Sequence, residues 1–210
     1  MVTLHTTYFG PVQWYQQLYR SECVYIDRNE RWQKQTIRNR CYIATANGIQ
    51  ALSVPIVHKA PSLYREGRGG SLTSDIRISD HGKWRREHWN ALQSAYGESP
   101  FFDYYADDIR PFFTEKWEFL FDFNLAIIHK MCELLDIDTH PQPLPKGGTS
   151  INPQPTPSLR ECRNESSPSL REGLGVGVYY QVHQQKHGFL PNLSILDLLF
   201  NMGNEAILYL

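Results

Sequence analysis

The sequence predicts a mixed α/β fold that forms a single domain over residues 1–210. Two observations carry this prediction: a β-α-β order between Val2 and Asp27, and an Asn-Gly dipeptide between two later β-prone runs. The first is typical of parallel strands joined by a crossover helix, and the second is a strong hairpin signal. We therefore expect an α/β fold with a mostly parallel sheet, flanking helices and one hairpin.

The first elements follow from local patterns. Val2–Tyr8 is β-prone and ends at Gly10-Pro11, where proline suits the first turn of a helix. The next apolar residues share one helical face, namely Val12, Tyr15, Leu18 and Tyr19. Cys23–Asp27 is a short apolar run suited to a buried strand. The hairpin is predicted from 40–45 and 49–57 around Asn47-Gly48.

The later elements are predicted in the same way. We expect a short strand at Ile76–Ile78 and a helix that Asp80 caps and that runs to Tyr96. An aromatic run at 101–105 precedes an apolar helix predicted over about 115–135. The last elements are a strand at Val178–Val182 and a helix to Phe200, capped by Asn192 or Ser194, with Asp197 in its first turn.

A short repeat interrupts this pattern. Pro61-Ser-Leu-Tyr-Arg-Glu-Gly recurs, with small changes, from Pro157 and from Pro168. The copies are too unevenly placed to stack as a solenoid, and they lack the apolar residues that would offset the entropy of ordering them. We therefore interpret 61–71 as an inserted loop and 141–178 as an inserted, disordered segment of low complexity.

Composition excludes several classes of protein. The 21 Lys and Arg residues nearly balance the 22 Asp and Glu residues, so a generally basic nucleic-acid-binding protein is not expected. No run reaches the roughly 18 apolar residues of a membrane helix, and no secretion signal is visible. The four cysteines lack CxxC spacing, and the histidines form no metal-binding motif. We expect a cytoplasmic protein without a metal site, and the sequence identifies no cofactor.

Two residues at strand ends are the candidate catalytic groups. His5 lies in the first predicted strand, and Asp27 ends the second. If these strands are parallel, both residues can face the carboxyl edge of the sheet, where ligands bind in open α/β folds. His5 or Asp27 could transfer a proton there, although a packed structural histidine remains the alternative.

The segment that follows Asp27 concentrates positive charge. Residues 28–40 hold five Arg or Lys residues and only one acid, Glu30. Its candidate ligand-binding residues are Lys34, Arg38, Asn39 and Arg40, because guanidinium forks and an amide suit phosphate or carboxylate. The alternative is that these cations pair with the acidic segment 103–122.

Two polar residues interrupt the apolar helix of the second half. Asp122 and Asn124 lie among phenylalanine, leucine and isoleucine residues. Polar groups in such surroundings cost free energy unless they are hydrogen-bonded. Asp122 and Asn124 therefore either line a binding site or hold a neighbouring segment.

Blocks of this sequence resemble the WbqC-like protein family. The matching blocks include 8–15, 34–41, 52–56, 88–89, 94–96 with 99–102, and 191–199. Members occur in gene clusters for O-antigen and other surface polysaccharides, and a transfer of glycine to a sugar has been suggested for some. The resemblance adds Tyr8 and Asn192 to the candidate substrate-binding residues. The placement of His5 just before the start of a helix is also similar to the arrangement in nucleotidylyltransferases, which have a Rossmann-like fold.

The resemblance implies a transferase of surface-polysaccharide biosynthesis that uses an anionic, phosphorylated or nucleotide-linked donor. Lys34, Arg38 and Arg40 would hold the phosphate, and His5 or Asp27 would handle the proton. The alternative is a non-catalytic protein that holds a nucleotide-sugar or a partner in the same basic cleft. Neither the transferase hypothesis nor the binding-protein hypothesis involves nucleic acid or insertion into a membrane.

Overall fold

A computed structural model describes residues 2–57, 71–138, 142–143 and 179–210. Five strands are described: β1 (Val2–Leu4), β2 (Val24–Ile26), β3 (Arg40–Thr45), β4 (Gly48–Ser53) and β5 (Gln142–Pro143). Seven α-helices are described: α1 (Val12–Tyr19), α2 (Trp84–Tyr96), α3 (Phe102–Ile109), α4 (Pro111–Thr114), α5 (Leu120–Leu134), α6 (Gln184–His187) and α7 (Ile195–Met202). Nearly all of the predicted inserted loops lie outside the described residues.

The chain opens with the predicted parallel β-α-β unit. β1 pairs with β2 in parallel, so that Leu4 lies opposite Ile26, and α1 is the crossover between them. β5 pairs in parallel with the other edge of β2, which gives the strand order β1-β2-β5. This parallel sheet is small, and β5 lies at the beginning of the segment predicted to be disordered.

The first strand is shorter than predicted because the chain turns away after Leu4. The backbone N–H of Tyr8 donates to the carbonyl of Ile37 at 2.9 Å instead of to a sheet neighbour. Phe9 then adopts a left-handed φ of 40°, and Pro11 precedes α1. Residues 5–11 therefore form a turn between the sheet and the helix, which is buried from Thr6 to Gly10 and leaves His5 exposed.

The predicted hairpin is confirmed as a separate two-stranded sheet. β3 and β4 pair antiparallel around Ala46-Asn47, and Gly48 has a φ of 109°, which suits glycine. The second strand ends at Ser53, short of the predicted 57. Ile76–Ile78, predicted as a strand, makes only isolated bridges, since Ile78 pairs with Ile56 and Arg77 with Phe119.

The helices surround an aromatic core. α1, α2, α5 and α7 lie where helices were predicted, although α5 begins at Leu120 rather than near 115. Ser194 caps α7 by accepting from the Leu196 N–H at 3.3 Å. Asp80 does not cap α2, which begins at Trp84; its carboxylate pairs with Arg85 and Lys116. The largest fully buried side chains are aromatic and include Tyr8, Phe9, Tyr15, Tyr96, Phe121, Phe123 and Phe200.

Two regions of the chain differ from the predicted secondary structure. The aromatic run at 101–105 enters α3, and α4 follows it directly, whereas the sequence predicted no helix there. In the described part of the predicted strand 178–182 there is no strand, and α6 follows at Gln184.

No helix in the described part of the chain is both long and apolar enough to cross a membrane.

Candidate functional site

His5 and Asp27 lie beside each other at the carboxyl edge of the parallel sheet. Each follows directly on the last residue of its strand, and these last residues, Leu4 and Ile26, are register partners. The Asp27 N–H donates to the Leu4 carbonyl at 2.9 Å, which extends the pairing to this edge. The topology predicted for these two residues is therefore confirmed.

Glu30 joins His5 to the basic segment. Nδ1 of His5 lies 2.6 Å from Oε2 of Glu30, and a terminal nitrogen of Arg38 binds the same oxygen. The His5 side chain is 61% exposed, whereas the Glu30 and Arg38 side chains are only 5% and 6% exposed. The carboxylate is therefore held inside the protein and presents an oriented imidazole to solvent.

The Glu30–Arg38 pair is held by several neighbours. Arg38 also donates to the Thr36 hydroxyl at 3.2 Å, and its backbone carbonyl accepts from Nδ2 of Asn124 at 2.7 Å. The Glu30 carbonyl accepts from the Thr73 N–H at 2.9 Å. Among these bonds the one to Thr36 involves a charged group, and Arg38 Nε and Glu30 Oε1 are buried without a hydrogen-bond partner among the described residues, so the two charges depend mainly on each other.

The structure corrects the roles expected for Arg38, Asn124 and Tyr8. Arg38 is buried on Glu30 and does not offer its guanidinium to a ligand. Asn124 is fully buried and donates to the Arg38 carbonyl, so it holds a neighbouring segment and does not line a binding site. Tyr8 is fully buried, and its hydroxyl lies 2.9 Å from Nδ1 of His88.

Asp122 lies on the surface rather than inside. Its side chain is 49% exposed, and its nearest cationic partner, Arg28, is 4.0 Å away. This is the one described ion pair between residues 28–40 and the acidic segment 103–122, so the expected alternative of broad pairing between them does not hold for the described side chains. Arg38 instead pairs with the acid of its own segment.

The other predicted ligand-binding residues divide between two places. Lys34 is exposed, whereas Asn39 stabilises the end of β4 through its Nδ2 bond to the Val54 carbonyl at 3.1 Å. Arg40 and Asn192 line a separate pocket of about 260 Å³ beside Pro11. The structure therefore joins His5 and Arg38 through Glu30, places the Asp27 backbone beside His5 at the sheet edge, and puts Arg40 and Asn192 in a second group.

A second buried carboxylate lies away from this centre. Asp197 accepts hydrogen bonds from the hydroxyls of Tyr96 and Tyr179 at 2.8 and 2.7 Å. Burial raises the pKa of the Asp197 carboxyl, although both hydrogen bonds oppose the shift. Asp197 is fully buried, and its two hydrogen bonds anchor α7 to the core. Its predicted place in the first turn of the helix did not indicate this role.

Sequence reasoning missed Glu30, although a signal was present. It is the only acid among the cations of 28–40, and a lone acid in such a segment is a candidate for an internal ion pair. The described residues contain no group of three His, Cys, Asp or Glu side chains that could hold a metal ion.

Comparison with known proteins shows similarity to a protein family and to a mycobacterial protein. A model of the WbqC-like protein family matches residues 6–147. "Uncharacterized protein Rv1507c" of Mycobacterium tuberculosis (strain ATCC 25618 / H37Rv) is 29% identical over 203 residues, covering 86% of this chain and 84% of the relative. No solved structure matches the chain significantly.

Proposed function

Since the chain belongs to the WbqC-like protein family, we propose that it is a transferase of surface-polysaccharide biosynthesis. The proposed reaction moves an aminoacyl group, such as glycyl, from an anionic activated donor to a sugar hydroxyl. The observation that carries the proposal is the 2.6 Å contact between His5 Nδ1 and Glu30 Oε2 at the carboxyl edge of β1 and β2. Ligands approach this edge in open, Rossmann-like sheets, the class to which we assign β1, β2 and β5.

In the proposed mechanism His5 is the general base. Its Nδ1–H donates to Glu30, which leaves Nε2 to accept the proton of the acceptor hydroxyl. The hydroxyl oxygen bonds to the carbonyl carbon of the donor, and the bond from that carbon to the donor's leaving group breaks. Glu30 then stabilises the imidazolium, and Arg38 keeps the carboxylate in place. A positioned base of this kind contributes about 10²–10⁴-fold to the rate.

Asp27 and Lys34 complete the proposed site. Asp27 follows β2 directly beside His5 in the backbone of the sheet edge, and its carboxylate, which accepts from the Asn29 N–H at 2.9 Å, would orient the acceptor. Lys34 is an exposed cation of the same segment and would contact the donor's phosphate. We place the reaction in the cytoplasm, where reduced thiols such as the buried Cys41 and Cys132 persist.

The test is turnover by the full-length protein with aminoacyl and nucleotide-linked donors and sugar acceptors, followed by mass spectrometry. We expect His5→Gln to lower kcat by at least about 10²-fold while donor affinity changes little. His81→Gln is the matched control, because His81 is also an exposed histidine. Equal loss in both variants would contradict a catalytic role for His5.

The second candidate is a non-catalytic protein that holds a nucleotide-sugar or a partner. The pocket beside Arg40 favours it, because Arg40 is a cation without a base next to it and would hold one phosphate of such a ligand, most of which would lie outside the pocket. A binding protein would be stabilised by its ligand in a thermal-shift assay and would form no product with any donor. Product formation that depends on His5 would exclude this candidate.

A further inference from the structure

The pocket beside Arg40 is built from three separate parts of the chain. Pro11 comes from the turn before α1, Arg40 and Tyr42 from β3, and Asn192 from the segment before α7. Arg40 and Tyr42 are two residues apart on one strand, so their side chains project from the same face. The volume of about 260 Å³ lies just below the roughly 300–1,000 Å³ of pockets for drug-sized ligands, so a smaller molecule fits.

The pocket is fixed by hydrogen bonds around it. The Ser194 N–H donates to the Tyr42 carbonyl at 2.8 Å, and the Ser194 hydroxyl donates to the Phe9 carbonyl at 2.8 Å. The Val12 N–H donates to the Leu193 carbonyl at 3.1 Å. A site whose walls are held in this way loses little entropy when a ligand binds.

Arg40 differs from the other arginines that are at least partly buried. Among the described residues these are Arg28, Arg38, Arg40 and Arg85. Arg28, Arg38 and Arg85 each have a carboxylate within 4.0 Å, from Asp122, Glu30 and Asp80. Arg40 instead donates from Nε to the neutral Ser53 hydroxyl at 2.8 Å.

This difference points to an anionic ligand. A half-buried guanidinium without a counter-charge is costly, and its terminal nitrogens form a fork that matches carboxylate or phosphate oxygens. Beside it, Pro11, Ile37 and Tyr42 supply apolar surface, and Asn192 supplies an amide. The combination requires a molecule with one charged end and one apolar part.

We propose that this pocket binds a small organic anion, with its carboxylate or phosphate on Arg40 and its apolar portion against Pro11, Ile37 and Tyr42. The residues that form the pocket are different from those around His5 and Glu30. The proposal concerns equilibrium binding, so it stands or fails independently of the reaction proposed above.

The experiment is an NMR titration of the ¹⁵N-labelled full-length protein with four probes. Benzoate and phenyl phosphate each carry a charged end and an apolar ring, benzamide is the neutral analogue of benzoate, and inorganic phosphate has no apolar part. We expect benzoate or phenyl phosphate to shift the amide signals of Tyr42 and Asn192 in a saturable way. Benzamide and inorganic phosphate should bind at least about tenfold more weakly, because each lacks one of the two contacts.

Variants test the role of the charge. Arg40→Gln should weaken binding of the better anion by about tenfold or more, and Arg40→Lys should weaken it less. Arg86→Gln, which removes an exposed arginine of α2, should leave binding unchanged. The tighter of benzoate and phenyl phosphate identifies the preferred charged group.

Three results would overturn the proposal: benzamide binding as tightly as benzoate, inorganic phosphate binding as tightly as phenyl phosphate, or full affinity in Arg40→Gln. The absence of saturable shifts at Tyr42 and Asn192 in the wild-type protein would do the same. This last measurement needs no variant, so a failure of Arg40→Gln to fold does not remove the test.

Discussion

The hydroxyl of Tyr8 lies 2.9 Å from Nδ1 of His88, and this contact joins the turn after β1 to α2 in the interior. The imidazole accepts the hydroxyl hydrogen in its neutral form. Burial lowers the pKa of His88 to about 4, although a hydrogen bond with the Ser53 backbone opposes the shift. The folded protein therefore holds His88 uncharged.

We expect this histidine to make folding stability depend on pH. Between pH 6.5 and about 4 the unfolded chain protonates His88 and the folded chain does not, so stability falls as the pH falls through this window. The loss from His88 is about 3 kcal/mol, and none is added below pH 4. Urea unfolding of the wild type and of His88→Gln over this range measures it as the difference between the two curves.

The control for this prediction is His81→Gln, which removes an exposed histidine. It should keep the wild-type slope of stability against pH. Parallel curves for the wild type and His88→Gln would show that His88 does not control the acid range.

The second prediction concerns the buried Glu30–Arg38 pair. Removing one partner leaves the other charge buried alone, so Glu30→Leu or Arg38→Met should each destabilise the protein by about 3–5 kcal/mol. The double variant should lose much less than the sum of the two, because no buried charge remains. Denaturant unfolding of all four proteins completes the double-mutant cycle, and additive losses would contradict the coupling.

The third prediction separates two polar residues of α5. Asn124→Leu removes the donor to the buried Arg38 carbonyl and should cost about 1–3 kcal/mol. Asp122→Leu should cost less than about 1 kcal/mol, because the side chain is half exposed and its ion pair is long. Thermal unfolding of the two variants gives the comparison directly. A larger loss for Asp122→Leu would reverse these assignments.

The fourth prediction is that residues 144–178 are dispensable for folding. Pro143 belongs to β5, and the Tyr179 hydroxyl is bound to Asp197, so both ends of the deletion are attached to the described fold. Joining them through a short Gly/Ser linker should change stability by less than about 1 kcal/mol, since loop entropy varies slowly with length. A loss above about 2 kcal/mol in urea unfolding would show that the segment packs against the domain.

A smaller deletion controls for linker strain. Removing only 157–173 takes out both downstream repeat copies and leaves longer flanks. The 157–173 deletion variant should be as stable as the 144–178 deletion variant. If only the smaller deletion keeps the stability of the wild type, strain in the linker would explain the loss in the larger one.

The sequence predicted the elements that depend on local signals. The spacing of Val12, Tyr15 and Leu18 predicted α1, and Asn47-Gly48 predicted the hairpin. Ser194, one of the two caps considered, is the residue that begins α7. The edge position of His5 and Asp27 followed from the β-α-β order. These features need only neighbouring residues or a general rule of topology.

The features that were missed depend on distant contacts. Arg38 was expected to bind a ligand, because its positive charge is visible in the sequence. The ion pair between its guanidinium and the Glu30 carboxylate is not visible there, because it depends on how residues 28–38 fold back. Tyr8 could not be assigned to the core without knowing that His88 lies beside it. Buried hydrogen bonds between distant residues leave no periodic pattern, so sequence reasoning finds them least well.

The bonds that Ser194 makes to Phe9 and Tyr42 have a consequence for synthesis on the ribosome. The hairpin is local and can form as soon as it emerges. The turn that carries His5 into α1 instead waits for a partner about 185 positions later, and contacts of such high sequence separation form slowly. The turn after β1 therefore stays incomplete in the nascent chain until Ser194 has emerged and α7 packs against the core.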